Sequence, residues 1–162
     1  ITFQKGMPLI SKSYTMNKLI SWTTLSDSAK VFAGTAKYKL IFDLPSEKAD
    51  DWLLSLGEVD FSADVKVNGQ SVGCLWAVPF KVRIGQYLKP GKNTLEIEVT
   101  NLWANRIAYY DLKGIYSKKF DNINIVDMEY KPFDASSWKP VPSGLLGPVT
   151  LRPLRAINPD RK

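Results

Sequence analysis

The sequence predicts an all-β protein built as a two-sheet antiparallel β-sandwich, and three stretches carry that prediction. Val65 and Val67 alternate with polar neighbours, Asn68-Gly69 supplies the two positive-φ residues of a type I′ turn, and Val72 restarts an apolar run beyond it. Leu95, Ile97 and Val99 alternate with Glu96, Glu98 and Thr100, so aliphatic groups share one strand face and carboxylates the other. Ala36, Tyr38, Leu40 and Phe42 alternate with Lys37, Lys39 and Ile41 in the same way.

Taken in order, residues 1–30 are polar and rich in Ser, Thr and Lys. They are expected to form an extension that packs on the domain or links to it, with at most a short helical turn within 21–30. The main domain is placed at 31–155. Its first strand ends at Asp43-Leu44-Pro45, where proline removes a ladder donor. A polar connection leads to a short apolar strand over Trp52–Leu56, broken by Gly57, and Val59–Val67 runs on to the Asn-Gly hairpin. Ser71–Trp76 returns, Phe80–Ile84 forms another strand, and Gln86–Asn93 is a loop holding the turn pair Pro90-Gly91. Thr94–Thr100 follows. Residues 101–147 read as mostly irregular and aromatic-rich, with Pro132, Pro140, Pro142 and then Pro148 as breakers, the kind of long loop on which binding residues tend to lie. Val149–Leu151 supplies a closing strand, and 156–162 a frayed tail.

Composition narrows the function. Hydrophobic residues at 44% with aromatics at 12% exclude a disordered chain, and no apolar run is long enough to cross a bilayer as a helix, so no membrane partner is expected. The net charge of +6 is dispersed, with Lys118-Lys119 and Arg161-Lys162 as its densest pairs, so nucleic acid is not an expected partner either. No signal peptide is visible, and a start at Ile rather than Met suggests a processed or excised chain. The single cysteine, Cys74, is read as a small core residue. With no histidine, Ser-His-Asp triads, Cys-His pairs and His-containing zinc sets are excluded, and no P-loop or dinucleotide fingerprint is present.

Two kinds of site remain. Paired carboxyls of the sort glycoside hydrolysis needs occur at Glu58 with Asp60, Glu96 with Glu98, and Asp127 with Glu129, but strand alternation explains each pair as a solvated strand face, and that is the reading taken. Sugar binding needs aromatic rings for C–H faces and planar polar groups for hydroxyls. Asn101-Leu102-Trp103-Ala104-Asn105-Arg106, followed by Tyr109-Tyr110-Asp111, offers both, on what reads as a loop at one end of the sandwich. The candidate carbohydrate-binding residues are Trp76, Trp103, Asn105, Arg106, Tyr109, Tyr110, Asp111 and Trp138. For Asn101, Asn105 and Arg106 a structural role, capping a strand end or satisfying loop carbonyls, stands beside the binding role. Asp121, Asn122, Asn124 and Asp127 offer oxygen atoms of the type calcium takes, but without the spacing of a known loop, so no metal and no cofactor is expected.

The order of these pieces resembles a known family. GTAKYKLIFDLP (34–45), the VNG hairpin, the Trp76-Ala77-Val78-Pro79-Phe80 element, KPGKN, the alternating strand, TNLWANR and SGLLGPVTLRP (143–153) together resemble the sugar-binding domain of glycoside hydrolase family 2 and the related C-terminal domain of α-L-rhamnosidase-like family 106 enzymes. The resemblance implies a jelly-roll, galactose-binding-like fold. It also implies a non-catalytic accessory domain of a bacterial, periplasmic or extracellular glycoside hydrolase, whose partner is a catalytic domain in the same polypeptide and whose possible ligand is an oligosaccharide or glycan. Catalytic residues would lie in that other domain, and none is assigned here. Two alternatives are a protein-interaction scaffold without sugar affinity and a self-contained carboxylate-pair glycosidase.

Overall fold

The computed structural model describes residues 1–115, 128 and 131–156. Among them the chain forms an all-β antiparallel sandwich with two short α-helices. One layer is a five-stranded sheet in which β1 (Thr2–Met7), β2 (Ala33–Asp43), β8 (Lys92–Thr100), β5 (Ser62–Val67) and β6 (Gln70–Leu75) lie side by side in that order. Facing it are β10 (Thr150–Leu154), β3 (Asp51–Ser55) and β7 (Lys81–Arg83), with the short pair β4 (Glu58–Val59) and β9 (Leu145–Gly147) beside them. The helices are α1 (Asp27–Lys30) and α2 (Ala104–Leu112).

Strand alternation decides which side chains meet between the layers. Val65, Val67, Ile97 and Val99 turn inward from the first sheet and join Leu54, Leu56 and Ile84 from the second, all of them buried. Each such burial is worth about 1.5–3 kcal/mol, which makes this shared face the main stabilising contact. On the outer face Lys37 bridges Glu98 at 3.2 Å and Glu96 at 3.8 Å, while Lys39 and Lys66 reach the same two carboxylates at 3.5 and 3.8 Å. Glu96 and Glu98 are therefore a paired, wet strand face.

The Asn-Gly turn forms as expected, with Asn68 at φ 51° and Gly69 at φ 80° joining β5 to β6. Elsewhere four expectations need correction. The run from Val59 to Val67 is not one strand: it breaks at Asp60-Phe61, where Phe61 takes φ 77°. Cys74 is exposed rather than in the core, because β6 is an edge strand whose alternation turns this side chain outward, opposite Asp64. Residues 104–112, read as loop, form α2. β1 was not anticipated, since Phe3 is its one buried residue and leaves no alternation to see. It pairs antiparallel with β2, and the two backbones approach so closely that a Cβ on Gly34 would overlap the Lys5 carbonyl oxygen.

The first thirty residues also deliver Trp22, fully buried, whose ring meets Phe3 and Phe32 edge-on at 5.7 Å. Ser26 then caps α1 by accepting the Ala29 N–H at 3.1 Å.

Candidate functional site

Two polar residues organise the end of the sandwich where β8 runs into α2. Asn101 closes the sheet: its Oδ1 accepts the Gly34 N–H at 2.9 Å and its Nδ2 donates to the Phe32 carbonyl at 2.8 Å. Asn105, one turn on and buried, works outward. Its Nδ2 donates to the Val141 carbonyl and its Oδ1 accepts the Val141 N–H, both at 2.8 Å. Further along α2, Asp111 Oδ2 accepts the Ala135 N–H at 2.8 Å. The segment 135–141 is thus strapped to α2 at both ends, and Trp138 sits in the middle of the strap.

Trp138 is half exposed, and its ring leans edge-on against Phe133 at 5.6 Å. Beneath it opens a cleft of about 530 Å³ between the end of α1, one side of α2 and the strap, with Lys30, Asn105, Tyr109, Lys113 and Trp138 among its walls. That volume is within the range of small-ligand sites. A neighbouring polar depression shares Asp27, Lys30 and Pro140 with the cleft and adds Thr23, Thr24 and Ser26.

The residues singled out in the sequence therefore divide. Asn105, Tyr109 and Trp138 come together at the cleft. Asp111 positions the strap. Arg106 is buried on α2, with its guanidinium 4.5 Å from the Tyr110 ring centre and 5.5 Å from that of Tyr109, a cation–π stack that fixes both rings. Trp103 is half exposed, and its carbonyl accepts the Arg106 and Ile107 N–H groups that start α2. Trp76 stands apart at 78% exposure in the β6–β7 connection. Register places Met7, Phe61 and Trp76 at the same end of the five-stranded sheet, and Leu102 and Trp103 continue from it, so an exposed apolar rim borders the strapped helix. Lys30, Asp27 and Lys113 were not anticipated, because nothing in the sequence says that α1 and α2 line one cleft.

Of the carboxyl pairs, Glu58 is exposed, while Asp60 is half buried and its carboxyl is pushed above the usual range by burial, with the Ser143 hydroxyl pulling the other way. Asp127 with Glu129, the residues weighed for calcium, and 157–162 of the expected tail lie outside the described residues. Among the described residues no cluster of ligating side chains suits a metal ion.

Residues 12–131 match the family described as glycosyl hydrolase 2 galactose-binding domain-like. Over 95% of its length the chain is 32% identical to a protein of Formosa agariphila provisionally named a β-glucuronidase, of which it covers 15%. It superposes on the rhamnosidase from Novosphingobium sp. PP1Y with a TM-score of 0.67 and 32% identity, over 84% of this chain and 12% of that one. The β-D-glucuronidase of Dictyoglomus thermophilum is 26% identical, with a TM-score of 0.50 over 60% of this chain and 18% of the enzyme. The chain thus spans less than a fifth of each of these relatives. It belongs to the glycosyl hydrolase 2 galactose-binding domain-like family.

Proposed function

We propose that this chain is a jelly-roll accessory domain of a longer bacterial glycoside hydrolase, periplasmic or extracellular, that supports the catalytic domain and contacts glycan without performing the chemistry. The observation that carries this reading is family membership combined with a span of 15% of a curated relative. Two features support it. The Glu96–Glu98 pair is neutralised by lysines on an open sheet face, where no substrate could be enclosed between two carboxyls. The strapped Trp138 offers a sugar ring a platform whose backbone is already fixed, so little ordering entropy opposes stacking.

The apolar rim of Phe61, Trp76, Val78, Leu102 and Trp103 favours a second role, packing against the catalytic domain, because exposed apolar residues in one place mark contact surfaces. Glycan contact without chemistry is open to test on the isolated chain. Tryptophan fluorescence titration against a glycan panel is expected to give a saturable signal that Trp138→Ala removes and Trp76→Ala keeps. Chromogenic glycosides are expected to show no turnover above buffer. Turnover abolished by Glu96→Gln in a folded variant would establish the self-contained hydrolase instead.

A further inference from the structure

The cleft beside Trp138 differs from the outer face of the five-stranded sheet in how its cations are used. On the sheet face Lys37, Lys39 and Lys66 are all spent on Glu96 and Glu98. Lys30 and Lys113 stand on opposite elements of the cleft, one ending α1 and one following α2, and neither has an ion-pair partner among the described residues. Both are exposed, so their ammonium groups reach solvent while the strap and Tyr109 form the apolar wall between them. Asp27 lies on the α1 side, where a carboxylate accepts hydroxyl protons. The adjoining depression with Thr23, Thr24 and Ser26 gives a chain of sugars somewhere to continue.

We propose that this cleft takes an acidic oligosaccharide: one pyranose stacks on Trp138, its carboxylate or sulfate is held between Lys30 and Lys113, and the next residue lies over the hydroxyl-lined depression. The assignment rests on the accessory-domain reading above and adds the ligand class to it. Two exposed ammonium groups each strengthen binding a few fold, so the charge is worth roughly tenfold at low ionic strength and fades as salt screens it.

The test titrates residues 1–162 with three probes: oligogalacturonate, the same oligosaccharide fully methyl-esterified, and a sulfated carrageenan oligosaccharide. The expected result is binding of at least one acidic probe roughly tenfold tighter than the neutral ester, with the preference lost at high salt and in the K30Q/K113Q double variant. Both lysines are exposed, and unchanged circular dichroism would confirm that the variant folds. Tighter binding of oligogalacturonate identifies a carboxylate as the anion, and tighter binding of the carrageenan probe a sulfate. Equal affinity for acid and ester, lost in Trp138→Ala, would overturn the acidic ligand and leave the glycan-binding reading intact. Failure of every probe and of the wider glycan panel would remove both.

Discussion

The two ends of the five-stranded sheet are built to opposite plans. At the turn end, the β5–β6 hairpin and the loop leading into β8 are knitted together by asparagines. Asn93, buried, accepts the Lys89 N–H at 2.9 Å and donates to the Lys89 and Gly91 carbonyls at 2.8 and 2.9 Å, while Asn68 donates to Asn93 and to the Tyr87 carbonyl, both at 2.8 Å. At the helix end, Asn101 and Asn105 close the backbone in the same manner, but around them stand Trp76, Trp103, Trp138 and the cleft lysines Lys30 and Lys113. Asparagine networks alone therefore mark stability; what distinguishes the helix end is that its network holds an aromatic ring out toward solvent.

Variants sharpen that contrast, the largest expected effect coming first. Asn93→Ala strands several buried groups at once and should cost about 2–4 kcal/mol in chemical denaturation while leaving glycan affinity unchanged. Asn105→Ala releases one end of the strap; a loss of about 1–3 kcal/mol is expected, together with glycan affinity, because Trp138 loses its fixed position. If Asn105→Ala destabilises the fold but binding persists, the strap is not what makes the platform. Trp76→Ala, at the exposed rim, should stay within about 0.5 kcal/mol of the parent.

A pair of carboxyls carries the contrast into pH. Asp51, near the turn end, accepts N–H groups from Trp52 at 2.7 Å and Gly85 at 2.9 Å, and from Arg83 Nε at 2.6 Å. The Trp52 bond leads in holding its carboxyl below the usual range. Its contribution to stability is present above the ordinary carboxylate value and is lost as pH falls through the lowered one. Asp60, at the helix end, is raised by burial, so its contribution is present in acid and lost as pH rises through the raised value. Asp51→Asn should thus lose most, relative to the parent, at neutral pH. For Asp60→Asn the stability difference from the parent should grow in favour of the variant from acid to neutral pH. Denaturation series across the carboxylate range would show the two slopes, and slopes of the same sign would contradict the assigned environments.

What the sequence made legible follows from where the chain buries apolar groups. The hairpin and β8 were readable because a period of two and an Asn-Gly pair are written in adjacent residues. Helix α2 was not, because the side chains it buries are Asn105 and Arg106, and a polar buried face leaves no hydrophobic period. Cys74 misled because Gly73-Cys74-Leu75-Trp76 looks continuous in sequence, while on an edge strand every second residue faces water. The aromatic and amide residues of the candidate site were visible by type. Their division into cleft, strap anchor and exposed rim was not, since it depends on α1 and α2, more than seventy residues apart in the chain, lining one cleft.

The free margin of the second sheet has a consequence for how this domain lives at high concentration. Among the described residues β10 pairs only with β3, and Pro153 lies opposite Trp52, whose carbonyl points the other way to accept Ile84 N–H. The position on β10 where a copy of the chain would look for a donor is therefore occupied by a residue that has none. Crowded chains meeting along this margin find a gap in the ladder, so the strand that completes the sandwich also discourages its growth into a stack.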